Sequence, residues 1–188
     1  MSSPGADVSV RVAWADDADA IARVQLRAWP TLYGELLPAE AIPSGPEAEA
    51  SAAAAWRASL QRPGDARNRV LVALERNRVV GFAITGPAVD PDRDPVADAE
   101  LRELTVDPEE RGKGHGSRLL QAAADTMVAD RFGHAVTWVV TGDDALLSFL
   151  TAAGWGADSA HRELDLDGTG ATRVKQVRLH TRLQDAPT

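Results

Sequence analysis

Arg111, Gly114 and Gly116 stand in the spacing R-x-x-G-x-G, with Gly112 as a further flexible point and Leu119-Leu120 close behind. A glycine-rich basic loop that runs into a helix turns several backbone N–H groups toward one anion. Glycine serves there because a Cβ would hold a phosphate away from the main chain. The Arg111–Ser117 segment (Arg111, Gly112, Lys113, Gly114, His115, Gly116, Ser117) therefore predicts a phosphate-bearing ligand held by backbone and helix dipole, with Arg111 and Lys113 adding charge outside. The backbone of His115 is expected to take part and its imidazole is not. A nucleoside triphosphate is one candidate, but the G-x-x-x-x-G-K-S/T order is missing, since Lys113 precedes Gly114 and Gly116.

Such a loop needs a strand to launch it and a helix to receive it. Ala99 to Val106 reads as that strand, closed by Asp107-Pro108, and Leu119, Leu120, Ala123, Ala124, Met127 and Val128 share one face of the helix beyond. Upstream, Val8 to Val12 alternates as a first strand. Asp16 and Asp17 offer caps to a helix carrying Ile21, Val24, Leu26 and Ala28 as far as Trp29. Pro30 to Pro46 is rich in turn residues, and an alanine-rich helix is expected from Glu47 to Leu60.

Val70 to Glu75 and Val79 to Thr85 form a hairpin over Arg76-Asn77, and Pro87 to Pro95 reads as a surface loop. Downstream come a strand at Ala135 to Thr141, with Trp138 read as core, and a short helix at Ala145 to Ala153 behind Gly142-Asp143-Asp144. Two last strands, His161 to Leu166 and Arg173 to Thr181, flank a turn at Asp167-Gly168, and the tail from Gln184 is expected to fray. The order β-α-α-β-β-β-α-β-α-β-β predicts one mixed α/β domain over residues 1–188, with its core at about 8–183.

Composition narrows the chemistry. The chain has 188 residues, of which 44% are hydrophobic and 26% charged, which is ordinary for a globular domain. Without cysteine there is no disulfide, thiolate metal site or cysteine nucleophile. His115, His134, His161 and His180 show no ligand spacing, so no metal is expected. A net charge of −8 argues against nucleic acid as a partner. The first ten residues lack the basic and apolar regions of a secretory signal, and no run approaches the roughly 18 apolar residues of a membrane span. A cytoplasmic protein with no membrane partner is expected.

The segment LTVDPEERGKGHGSRLL, within Leu101 to Leu120, resembles the acyl-CoA motif R/Q-x-x-G-x-G/A of the GNAT superfamily, the acetyl-CoA-dependent N-acetyltransferases. The resemblance runs from the first strand to the last. DDALLSFLTAAGW, Asp143 to Trp155, resembles the family's N-x-x-A-x-x-F-Y-x-x-x-G-F, with Asp143 for asparagine, Leu150 for tyrosine and Trp155 for the final phenylalanine. W-x-x-x-Y-G-x-L-L-P, Trp29 to Pro38, is a weaker match to a segment that lines the acceptor pocket in relatives.

The resemblance implies a mostly antiparallel sheet of about seven strands, splayed between the fourth and fifth, with about four flanking helices. It implies acetyl-CoA as co-substrate, with its pyrophosphate on the Arg111–Ser117 loop and its pantetheine arm in the gap. It also implies a bulge in the fourth strand near Leu104, Thr105 and Val106 that aims N–H groups into that gap. The acceptor is expected to be a primary amine on a small molecule or a peptide, and relatives are often homodimers.

Acetyl transfer to an amine needs a base, donors for the developing oxyanion, and a fate for the thiolate. Glu100, eleven positions before Arg111 as in some relatives, is the first choice of base, with Glu103 second. On a regular strand the two point to opposite faces unless a bulge intervenes. Leu150 cannot donate a proton, and Ser148 and Thr151 project elsewhere on the helix. That leaves Tyr33, the lone tyrosine, as the candidate acid, or no dedicated acid, since a thiolate with a pKa near ~8.5 is a tolerable leaving group. Asp143 is either a contact to the pantetheine arm or a plain helix cap. A relative that binds acyl-CoA without catalysis is the alternative reading.

Overall fold

Alternating apolar residues give the first half of the sheet: β1 (Val8–Val12), β2 (Arg69–Glu75) and β3 (Arg78–Pro87), joined antiparallel in that order. The structure is a computed structural model and describes residues 7–166 and 168–183. Helices α1 (Ala18–Tyr33) and α2 (Gly45–Gln61) lie between β1 and β2 in the chain. After β3 come β4 (Asp98–Val106), α3 (His115–Ala129), β5 (His134–Val140), α4 (Asp144–Ala152), β6 (Gly156–Asp165) and β7 (Arg173–Arg182). The sheet order is β1-β2-β3-β4-β5-β7-β6, and only β4 and β5 are parallel neighbours. This is the mixed seven-stranded α/β sheet with four α-helices that the sequence predicts.

Each face of the sheet has its own core. On one face Ile21 and Val24 of α1, with Trp56 and Leu60 of α2, pack on Val72, Leu74 and Phe82. On the other, Leu119, Ala123 and Met127 of α3 and Leu150 of α4 pack on Ala83, Leu101 and Val139. Burying a large aliphatic or aromatic side chain contributes about 1.5–3 kcal/mol. Leu119, Met127, Leu150 and Phe82 are fully buried, so these contacts fix where α3 begins relative to β4.

Three expectations need correction. α1 does not stop at Trp29. It runs through Pro30 to Tyr33, because proline removes a single backbone donor and Gly34 N–H still closes onto Pro30 O at 2.9 Å. β6 starts at Gly156 rather than His161: its pairing with β7 jumps from Ala157↔Leu179 to His161↔Val177 over a bulge, where Ser159 has φ 71°, and the bulge hides the alternation. The Pro87–Pro95 stretch is the surface loop expected, with Val89 and Asp92 exposed, and it is tied to β7, since Asp90 and Asp92 both accept from Arg178. Trp138 is half-buried on the face opposite Val139 and is not core. Asp167 and the tail from Gln184 lie outside the described residues. No helix among the described residues is long and apolar enough to cross a membrane.

Candidate active site

The parallel contact between β4 and β5 lasts three residue pairs, Asp98↔His134, Ala99↔Ala135 and Glu100↔Val136. One further link follows, from Thr137 Oγ1 to Leu101 O at 2.7 Å. Beyond it both strands continue, β4 to Val106 and β5 to Val140, without pairing to each other. The sheet thus splits into a wedge whose closed end is at Glu100 and Leu101.

The edge that β4 presents to the wedge follows from its pairing with β3. Asp107 N–H donates to Val80 O at 2.9 Å, and Val106, Thr105 and Leu104 lie opposite Gly81, Phe82 and Ala83. In an antiparallel ladder donors alternate in direction. Thr105 therefore turns its N–H to β3, whereas Leu104 and Val106 turn theirs into the wedge. The Thr105 hydroxyl instead donates to Glu103 Oε1 at 3.0 Å.

The bulge expected near Leu104 to Val106 sits earlier in the strand. Ile84 lies opposite Glu103 and Thr85 opposite Leu101, which leaves Arg102 as the extra residue. Arg102 finds partners across β3, donating to Pro87 O at 3.0 Å and to Asn68 Oδ1 at 3.2 Å. Its guanidinium lies over Gly86, where a Cβ would come 3.0 Å from Nη2 and would collide with Asn68 Oδ1. The inserted residue shifts the alternation by one, so Glu100 and Glu103 come to share a face, the one covered elsewhere by α1 and α2.

Burial pushes the Glu103 carboxyl up, and the Thr105 hydrogen bond only partly offsets it. Burial also pushes Glu100 up, against the pull of Arg102, whose Nε lies 3.9 Å from it; Asp90 raises it further and Arg162 lowers it. Tyr33, at the end of α1, is raised by burial and then by the nearby charge of Glu103. Two glutamates and the tyrosine thus gather on one side of the wedge.

At the wedge's open end β4 passes into the glycine loop. Gly112 and Gly114 have φ 77° and 82°, in the left-handed region that favours glycine. Gly114 is the N-cap of α3, and the first helical bond is Arg118 N–H to Gly114 O at 3.2 Å. The N–H groups of His115, Gly116 and Ser117 are therefore unused by the helix and available to an anion.

The side chains below the loop form a network that sequence spacing did not disclose. His115 is 2% exposed, with Nε2 3.1 Å from Glu75 Oε2. Glu110, also buried, accepts from Lys113 and Arg78, which together hold it down to about 2. Lys113 is thus tied to Glu110, while its side chain, like that of Arg111, stays exposed. Among the described residues, Glu75, Glu110 and His115 bring atoms of metal-ligand type within 4.8 Å of one another, although Glu110 already carries two cations.

The Asp143–Trp155 segment carries no proton donor into the wedge. Leu150 is 1% exposed in the core, Trp155 is buried with it, and Ser148 and Thr151 face solvent. Asp143 caps α4, accepting from Leu146 N–H at 3.0 Å.

Sequence reasoning missed a polar cluster beside Glu100. Trp138 Nε1 donates to Asp90 at 3.0 Å, and the Arg162 and Arg178 guanidinium carbons lie 4.2 and 5.5 Å from its ring centre. The one available signal was the density of aspartates in the Pro87–Pro95 stretch.

The acetyltransferase (GNAT) family model matches residues 25–155, well over half of the chain. No protein of curated function matches it. Among solved structures, an N-acetyltransferase from Staphylococcus aureus Mu50 superposes with a TM-score of 0.70 at 20% identity, covering 95% of this chain and 99% of that one. A Salmonella typhimurium protein solved with its cofactor acetyl-CoA gives 0.67 at 18%, covering 96% of each chain. The PaiA N-acetyltransferase of Thermoplasma acidophilum, in complex with coenzyme A, gives 0.65 at 17%, covering 97% and 99%. At these identities the superpositions speak for the fold, and the family match carries the assignment. The wedge, the glycine loop and that match agree: the chain belongs to the GNAT acetyltransferase family.

Proposed function

We propose that the protein transfers an acetyl group from acetyl-CoA to a primary amine by direct attack within a ternary complex. The observation that carries this reading is the alignment of two unfilled sets of donors. The free N–H groups at the start of α3 suit a pyrophosphate, and the N–H groups of Leu104 and Val106 open into the wedge where an amide-rich arm would lie. The carbonyl of the thioester is placed near the Val106 N–H, which then stabilises the oxyanion.

Glu103 is the better-placed base, with Glu100 second. Glu100 lies where β4 and β5 are still paired and is hemmed by Arg102, while Glu103 lies beyond the closed end with Thr105 as partner. The amine, as its free base, attacks the carbonyl carbon, and its nitrogen passes a proton to Glu103 as the N–C bond forms. The C–S bond then breaks, and Tyr33, kept neutral by its raised pKa, protonates the departing thiolate.

A thiol-release assay of acetyl-CoA against a panel of amines, amino acids and peptides tests the reaction. Amine-dependent release is expected. Glu103→Gln is expected to lower turnover about 100-fold with unchanged acetyl-CoA affinity. Because the base must be ionised, wild-type rate falls as pH drops through the raised Glu103 value, and the variant lacks that limb. Acetyl-CoA binding with no amine-dependent release would instead assign a non-catalytic acyl-CoA-binding role. A limb kept in Glu103→Gln but lost in Glu100→Gln moves the base to Glu100.

A further inference from the structure

The face that gathers Glu100, Glu103 and Tyr33 also carries two arginines over the Trp138 ring, and the two are in opposite states. Arg178 is 4% exposed and engaged at all three nitrogens: Nε donates to Asp158, Nη1 to Asp90 and Asp92, and Nη2 to Asp92. Arg162, on β6, is exposed and anchored at one atom, with Nε donating to Gln176 Oε1 at 2.7 Å. Among the described residues its Nη1 and Nη2 make no hydrogen bond and it has no ion pair.

Arg162 is nevertheless held in position. Its guanidinium carbon rests 4.2 Å from the centre of the Trp138 ring, and Trp138 is itself fixed by Asp90. A guanidinium seated on an aromatic ring and tied at Nε has already lost much of its freedom, and it still offers a fork that matches a carboxylate. Val136, two residues before Trp138 on the same face of β5, lies opposite Glu100, so the ring and its guanidinium sit on the acid side of the wedge. Arg162 is near enough to Glu100 for its charge to favour that carboxylate.

We infer that Arg162 is the anion-recognition residue of the acceptor site, and that the acceptor is an amine that also carries a carboxylate, as an amino acid does. The inference rests on the acetyl-transfer reading above. The amine end lies among Glu103, Glu100 and Tyr33, and the carboxylate end meets the Nη1–Nη2 edge of Arg162. Arg178 provides no such edge, because three aspartates occupy it.

The test compares matched acceptors, each an amino acid and its carboxamide, in the thiol-release assay with wild type, Arg162→Met and Arg162→Lys. Wild type is expected to prefer the carboxylate form at least tenfold in kcat/KM. Arg162→Met should erase that preference by raising the acceptor KM, with kcat at saturation and acetyl-CoA Kd unchanged. Arg162→Lys should restore part of it. Equal use of acid and amide by wild type, or a preference that survives Arg162→Met, overturns the inference.

A binding arm keeps this result separate from failure of the reaction itself. Calorimetric titration of the same pairs into CoA-loaded protein reads recognition without turnover. If no amine releases thiol, acetyl transfer fails as a reading, yet acid-over-amide binding lost in Arg162→Met still supports the anion site. Equal binding of acid and amide overturns it.

Discussion

Gly114 combines the backbone demand and the ligand demand of the loop at one residue. Its φ of 82° makes any side chain strained, and a Cβ would lie 3.3 Å from Arg118 Nη1. Left-handed backbone costs an L-residue about 1–2 kcal/mol. Gly114→Leu is therefore expected to fold, to lose modest stability, and to weaken acetyl-CoA binding at least about tenfold, since the loop's N–H groups must be re-aimed. Gly133→Ala is the control: it lies outside the loop, and its Cβ would meet nothing within 4 Å. Calorimetric binding of acetyl-CoA to both variants, with circular dichroism for the fold, checks the pair. The glycines were legible in the sequence because backbone permissiveness is a property of one residue type. The fates of His115 and Lys113 were not, because their partners Glu75, Glu110 and Arg78 reach them only through the hairpin and the loop.

At the level of elements, the β3–β4 connection forms one wall beside Glu100, and Arg178 holds it. Removing one partner of a buried charge network strands the others, at a cost of about 3–5 kcal/mol. Arg178→Met leaves Asp90, its side chain 12% exposed, without its cation, while Asp158 keeps Arg93 and Asp92 stays hydrated. The melting temperature should fall by roughly 6–20 °C. The surviving enzyme should show a raised acceptor KM and an unchanged acetyl-CoA Kd, because the glycine loop does not touch this wall. An equal loss of both affinities would indicate global damage. Strand and helix types were readable from periodicity, and the core faces followed from them. The misread boundaries share a cause: Pro30 inside α1, Arg102 in β4 and Ser159 in β6 are local irregularities that tertiary partners stabilise.

For the whole molecule, carboxylates of two kinds act on stability in opposite directions. Glu100 and Glu103 are raised above the ordinary 4.5, so the folded state binds their protons first. Their ionisation opposes folding, and stability rises as pH falls from their raised values toward 4.5. Glu110 and Asp92 are held at about 2 by cations, so their stabilisation is complete above the ordinary carboxylate range and is lost as pH falls toward 2. Thermal unfolding from pH 8 to pH 3 should therefore pass through a maximum on the acid side of neutrality. Glu103→Gln should flatten the limb above that maximum, and Glu110→Gln the limb below it. A monotonic curve in wild type would contradict the assignment of the two kinds. The net charge of −8 was plain from composition, but which acids are buried, and with what, was set only by the fold.

The three-pair contact between β4 and β5 gives the sheet edges in its interior as well as at its margins. Unpaired strand edges ordinarily recruit another protein strand, and proteins blunt them with bulges, charge or cover. At the outer margin β6 carries the Ser159 bulge. The interior edge at Leu104 and Val106 is protected differently, because the strands converge at Glu100 and the cores on both faces leave a slot instead of an open side. A polypeptide strand with side chains is too broad for such a slot, whereas a thin, extended chain of amides is not. The same convergence that makes the edge adhesive therefore selects what may adhere, and keeps a reactive binding surface from becoming a site of aggregation.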